Sequence, residues 1–287
     1  MRIQSAISQW FAHAARPLPW RAATVTPWQI LVSEIMLQQT PANRVAPQWQ
    51  NWIARWPDAA SLAAASPADV IRQWDRLGYP NRALRLHQTA KLVVTDFGGE
   101  LPANEDSLRS LPGIGEYTAA AVMAFAFSQR SVVLDTNVRR VIARVWNGQE
   151  RQPQSLSNIE RIFAEAQVPE SAKSAAQWSA AVMEFGATVC TAKSPQCSDC
   201  IIKNDCAWRL AGFPPSQIAP RTQKFAGTDR QVRGQIMQQL KNSRTSVTKA
   251  DLAQQWTDSA QGHRALDSLI SDGLVEVTRS GRFALPR

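Results

Sequence analysis

Cys190, Cys197, Cys200 and Cys206 are the only cysteines of this 287-residue chain, and they fall within seventeen residues at the spacing C-x6-C-x2-C-x5-C. Two disulfides are one reading, but nothing in the sequence suggests secretion, and clustered thiols inside a cell more often hold a metal. Zinc ribbons use two C-x2-C knuckles separated by a longer spacer. Here one short loop surrounds a single centre with no histidine near it. Four thiolates converging on one point suit a [4Fe–4S] cube, whose charge and softness call for sulfur ligands.

Two carboxylates and one turn offer further chemistry. Glu34 lies in the segment Trp28–Gln39, where Trp28, Leu31, Val32 and Ile35 fill one helix face and Ile30 and Leu37 the opposite side. A helix apolar nearly all round is buried, so Glu34 is expected to be held out of water, which raises a carboxyl pKa and keeps its proton available near neutrality. The alternative is a buried Glu paired with an Arg. Asp135, between an apolar run and a new helix, reads on its own as an N-cap. Leu111-Pro112-Gly113-Ile114-Gly115 separates a short helix from one beginning at Glu116. Its glycines permit a tight turn, and the helix amides that follow can take a phosphate oxygen, as in a helix–hairpin–helix clamp on a DNA backbone. An ordinary helical corner would look the same.

The elements that must carry these groups are mostly helices over the first 210 residues: Trp28–Gln39, Pro67–Arg76, Arg82–Asp96, Tyr117–Phe127 and Ala175–Phe185. Trp49, Trp52 and Trp56 share one face and read as core. Gly212–Gly227, with Pro214, Pro215 and Pro220, reads as a linker. Beyond it, helices are expected at Gln231–Leu240, at Lys249–Trp256 with Thr248 as cap, and at Gln261–Ser271 ended by Gly273. A hairpin of Leu274–Thr278 and Arg282–Leu285 follows. Three helices and a hairpin are the order of a winged helix, with His263 and Arg264 on the candidate recognition helix. Such folds also serve as protein-contact modules. The division is 1–211 for the main domain with its cysteine loop at 190–206, 212–228 for the linker, and 229–287 for the winged-helix-like domain.

The net charge is +9, of which residues 221–287 carry +5 and the first 220 only +4. A basic tail favours an auxiliary nucleic-acid contact, though charge also serves solubility. The first twenty residues read as an amphipathic helix rather than a signal peptide. The longest apolar run, Ala119–Phe127, is too short to span a bilayer. A soluble cytoplasmic protein, a monomer with no membrane partner, is expected.

Taken in order, Val32-Ser33-Glu34-Ile35-Met36-Leu37-Gln38-Gln39-Thr40, Leu77-Gly78-Tyr79, LPGIG, Leu134-Asp135-Thr136-Asn137-Val138 and the cysteine loop resemble the MutY-type adenine DNA glycosylases of the helix–hairpin–helix superfamily, which also holds endonuclease III. The resemblance covers about residues 1–210. It implies an all-α helix–hairpin–helix glycosylase with a [4Fe–4S] cluster loop, followed here by the small α+β domain. It implies removal of adenine from double-stranded DNA at A:8-oxoguanine or A:G mispairs. Glu34 would protonate the flipped adenine, and Asp135 would stabilise the sugar cation. Tyr117, at the position where bifunctional relatives carry a lysine, would position groups near them and leave the enzyme without a Schiff-base nucleophile. Gln39 and Tyr79 match residues that wedge beside the opposite base, Asn137 one that orders the site, and Gly113, Ile114 and Gly115 would offer amides to a phosphate.

Three departures qualify the match. Pro80 stands where the family usually has a second Tyr, and Thr136 replaces a usual Gly in a form shared with thymine-mismatch relatives. Residues 229–287 are also too short for the hydrolase-like domain that reads 8-oxoguanine. A thymine or uracil mismatch glycosylase and a non-catalytic iron–sulfur DNA-binding protein are the competing readings. Ser33-Glu34 with Gln38-Gln39 favours adenine, because a proton donor to N7 has no counterpart in pyrimidine release.

Overall fold

A chain with capping residues ahead of many of its apolar stripes builds short, well-delimited helices, and the computed structural model, which describes residues 2–218 and 225–287, contains them in number. In chain order they are α1 (Arg2–Ala14), α2 (Pro27–Leu37), α3 (Ala42–Arg55), α4 (Ala59–Ala63), α5 (Pro67–Trp74), α6 (Asn81–Phe97), α7 (Glu105–Ser110) and α8 (Glu116–Phe125). After these come α9 (Thr136–Val145), α10 (Asn158–Gln167), α11 (Ala172–Thr188), α12 (Ala207–Leu210), α13 (Asp229–Asn242), α14 (Lys249–Ala253) and α15 (Ser259–Ser271). A two-stranded antiparallel sheet, β1 (Glu276–Val277) with β2 (Phe283–Ala284), closes the order.

The caps explain where helices begin. Thr26 and Gln29 satisfy each other's amides ahead of α2, with Pro27 as its first residue. Reciprocal capping recurs at Asp58–Ser61, Ser157–Glu160 and Thr248–Asp251. Helix ends fall short of the sequence expectation where the backbone turns left-handed. Asp75 (φ 45°) stops α5 at Trp74, and Gln39 (φ 58°) lies beyond the end of α2 at Leu37. The expected hairpin is present but its paired strands are only two residues each, supplemented by a bridge from Val247 to Phe283. Residues 219–224 of the expected linker, Pro220 among them, lie outside the described residues.

Two compact units result: Met1–Glu34 with Pro102–Ser110 and Ile114–Pro220, and Ile35–Leu101 with Leu111–Gly113 and Arg221–Arg287. In the first, α9 and α11 pack with α1 through Ile7, Val138, Val141, Ile142, Val145, Val182 and Phe185, and Ile202 of the cysteine loop joins the same core. Burying each such side chain contributes about 1.5–3 kcal/mol. Gly186 makes the close helix contact possible, since a Cβ there would lie 2.8 Å from the Asn137 carbonyl oxygen and 2.9 Å from its Cβ.

In the second unit, Trp52 packs edge-on against Trp56 and Trp74, with ring centroids 4.8 and 5.5 Å apart, so the tryptophans serve the core as expected. A second core gathers Val232, Ile236, Met237 and Leu240 of α13 with Leu252, Leu266, Leu269 and Phe283. Ile71 of α5 is buried in that same cluster.

Candidate active site

Glu34 sits in the last third of α2, 4% exposed, between Ser33, which is fully buried, and Ile35. The Tyr117 hydroxyl, from the first turn of α8, donates to Glu34 Oε2 at 3.2 Å. Burial raises the Glu34 carboxyl to about 7; the Tyr117 hydrogen bond and the charge of Arg21 oppose the rise, and the negative charge of Asp135 adds to it. Withdrawal from water, with the charges of Glu34 and Asp135, pushes the Tyr117 phenol well above its ordinary value, so it remains a donor.

A buried carboxylate elsewhere in this unit shows what pairing does instead. Glu184, 1% exposed, receives Arg16 Nε at 2.6 Å and Arg21 Nη2 at 2.9 Å. Burial works to raise it, yet these partners hold its carboxyl below the usual range. The Arg-paired alternative for a buried Glu is therefore realised at Glu184, while the hydrogen bond to the Glu34 carboxylate comes from a phenol.

Asp135 caps α9, the reading its place in the sequence gives on its own. Its Oδ1 accepts from the Val138 amide at 2.7 Å as the N-cap of α9, and its Oδ2 accepts from Asn137 Nδ2 at 2.6 Å. Burial raises its carboxyl despite these donors and the charge of Arg140. Asn137 is held in turn by Arg140, whose Nη2 donates to Asn137 Oδ1 at 2.8 Å and whose Nε donates to the Cys190 carbonyl at 2.8 Å. A continuous run of hydrogen bonds thus joins Asp135 to the cysteine loop.

The turn between α7 and α8 has Gly113 at φ 81°, where a side chain would be strained and would press on Arg85 at 3.2 Å. Gly115 is the N-cap of α8 and carries no side-chain cap, which leaves the first amides of that helix for an outside acceptor. Ile114 is buried, so it can offer a ligand only its backbone.

Gln39 and Tyr79 belong to the second unit and share a feature the sequence did not reveal. Both hold left-handed backbone, at φ 58° and 48°, a conformation uncommon in non-glycine residues that Asp75, Ser128 and Phe213 also adopt. One buried residue ties their loops together: Arg82 donates to the carbonyls of Ile35, Met36 and Gln38 on one side, and to those of Leu77 and Gly78 on the other, at 2.5 to 3.1 Å. Thr40 Oγ1 also donates to the Leu77 carbonyl at 3.2 Å.

The four thiols line one pocket, together with Arg144, Phe185, Ile202 and Trp208, and none is disulfide-bonded. Among the described residues no three His, Cys, Asp or Glu side chains close on a single ion. Burial, with the neighbouring thiols adding to it, pushes Cys200 up to about 11. Arg144, 2% exposed, donates to the carbonyls of Thr191 and Ala192 and approaches Cys190 Sγ at 3.5 Å, which orders the loop and adds positive charge beside it. A donor set of four soft sulfurs around one cavity fits an iron–sulfur cluster. Purified protein is expected to be brown and to contain iron and inorganic sulfide in equal amounts; one zinc per chain without sulfide would overturn the cluster. Arg140, Arg144 and Arg82 carry no obvious mark in the sequence, because arginine within an amphipathic helix reads as a solvated face. The available signal was their place among apolar residues.

Comparison with known proteins shows the family. The model for HhH-GPD superfamily base excision DNA repair proteins matches residues 32–166, and that for the iron–sulfur binding domain of endonuclease III matches residues 190–206. An adenine DNA glycosylase of Mycolicibacterium smegmatis is 52% identical over 277 residues, 96% of this chain and 93% of that protein. A solved thermostable thymine-DNA glycosylase aligns with a TM-score of 0.65 at 27% identity, covering 73% of this chain and 96% of that one. A non-covalent endonuclease III–DNA complex gives 0.63 at 22% identity over 74% and 95%, a likeness of fold. With its helix–hairpin–helix fold, its [4Fe–4S] cluster loop and this degree of identity, the chain belongs to the adenine DNA glycosylase family.

Proposed function

We propose that this protein is a monofunctional DNA glycosylase of base excision repair that removes adenine mispaired with 8-oxoguanine or guanine. The observation that carries the reading is the Glu34 carboxyl, buried, raised to about 7 and hydrogen-bonded by the Tyr117 phenol. At neutral pH such a group holds a proton it can still give up, as a general acid requires. Glu34 donates that proton to N7 of an adenine flipped from the duplex, the N9–C1′ bond breaks with its electrons going to the base, and an oxocarbenium-like sugar remains. Asp135, fixed by Val138 and Asn137, lies within electrostatic reach of Glu34 and stabilises that cation. Water then adds at C1′, losing its proton to the Glu34 carboxylate.

In this reading the amides of Gly113, Ile114 and Gly115 hold a phosphate, and Gln39 and Tyr79 enter the duplex beside the opposite base. The four cysteines hold the cluster, which stabilises the loop against α9. Residues 1–211 form the glycosylase domain, joined by 212–228 to the winged-helix-like residues 229–287. The protein acts as a monomer in the cytoplasm. Among the described residues no helix is long and apolar enough to cross a membrane.

The test is strand release after alkali from duplexes carrying A opposite 8-oxoguanine, A opposite G, and T opposite G. Cleavage of the first two is expected. Cleavage of the T:G duplex alone would establish the pyrimidine reading, and cleavage of none a non-catalytic protein. Borohydride is not expected to trap the enzyme on DNA, because Tyr117 offers no amine to the sugar; efficient trapping would mean that a lysine reaches C1′.

A further inference from the structure

The loop from Asp75 to Tyr79 takes left-handed backbone at Asp75, Gly78 and Tyr79. From one side Trp74 Nε1 donates to the Gly78 carbonyl at 3.0 Å, beside the Arg82 bonds already described. From the other side the C-terminal elements reach the same loop. Lys241 Nζ of α13 donates to the Asp75 carbonyl at 2.8 Å, Arg72 Nη2 donates to the Ser243 carbonyl at 3.4 Å, and Ile71 of α5 is buried in the α13–α15 core.

Tyr79 itself is 40% exposed, yet its ring lies against two guanidinium groups, Arg82 at 5.8 Å and Arg230 at 5.0 Å. Arg230 also faces the ring of Phe225 at 5.4 Å, so an exposed cation stands between two exposed aromatic faces. Arg230 occupies the first turn of α13. A planar guanidinium on an aromatic face restricts the ring without burying it.

We propose that Arg230 is a positioning residue for Tyr79, and that through it the C-terminal elements take part in reading the strand opposite the excised base. The inference rests on the wedge reading of Tyr79 above. Arg82 fixes the backbone of the loop, Arg230 fixes the side chain, and the ring is presented in one orientation before DNA arrives.

The test uses the full-length protein and a duplex with A opposite 8-oxoguanine and 2-aminopurine beside the 8-oxoguanine, whose fluorescence rises when a wedge unstacks it. Arg230→Ala is expected to raise the half-saturating protein concentration for this signal about two- to fivefold. Arg230→Lys is expected to behave like Arg230→Ala, since the ammonium keeps the charge and loses the planar contact. In the Tyr79→Ala background, Arg230→Ala is expected to add nothing. Additive effects, or full rescue by lysine with a shallower salt dependence in the alanine variant, would make Arg230 a phosphate contact and overturn the inference alone. A Tyr79→Ala variant with an unchanged 2-aminopurine signal would instead remove the wedge reading, and this inference with it.

Discussion

Glu34→Gln is expected to lower single-turnover adenine release by on the order of 10³-fold while leaving binding to mispaired DNA near its original strength. The amide keeps the size of the side chain and can still accept from Tyr117, but it has no proton to give to N7. The unmodified enzyme should show the complementary pH dependence. Its Glu34 carboxyl stays protonated up to about 7, so the rate constant should fall as pH rises through that value, by about tenfold per unit on the alkaline limb. Stability should follow the same group. The folded carboxyl keeps its proton to about 7 while the unfolded one releases it near 4.5, so between those values the native state binds more protons. Stability contributed by this site is then full below about 4.5 and lost as pH rises through about 7, by ~3 kcal/mol at most. Urea unfolding as a function of pH should show that decline in the wild type and not in Glu34→Gln. A variant with unimpaired release would assign the proton donor elsewhere.

Asp135→Asn is expected to reduce excision about 10²–10³-fold at nearly unchanged stability. The two roles of the residue separate in this substitution. An asparagine oxygen can still cap α9 through the Val138 amide, so urea unfolding should shift by less than ~1 kcal/mol. What disappears is the negative charge that acts on Glu34. Single-turnover excision close to wild type would leave Asp135 as a helix cap and nothing more. Its second bond makes a further distinction: Asn137 Nδ2 donates to Asp135 Oδ2, and an introduced amide must present its oxygen to only one of the two donors at each position. A small residual stability change is therefore expected from that bond rather than from the cap.

Local features of the sequence were enough for the thiol cluster, the capped helices, the buried position of Glu34 and the turn at Gly113, because each depends on residues close together in the chain. The four cysteines lie in one loop, and a helix apolar on nearly all sides must bury its polar members. Asp135 shows where that kind of legibility ends. The same residue satisfies the Val138 amide, as any N-cap would, and only the folded site brings its charge to bear on Glu34.

What tertiary structure decided was the environment of each group. Two buried carboxylates, Glu34 and Glu184, are alike in sequence terms, yet one is pushed up by burial and the other held down by Arg16 and Arg21. Partners far away in the chain set that difference. Arg140 and Arg144 carry contacts from α9 to the cysteine loop some fifty residues later, and Arg82 fastens the loops of Gln39 and Tyr79 from a third position. The sequence by itself determined which groups could do chemistry here, because residue type and local spacing set proton donors, thiolates and caps. Only the fold decided which carboxylate burial pushes up and which one arginines hold down, because desolvation and long-range pairing exist only once distant segments meet.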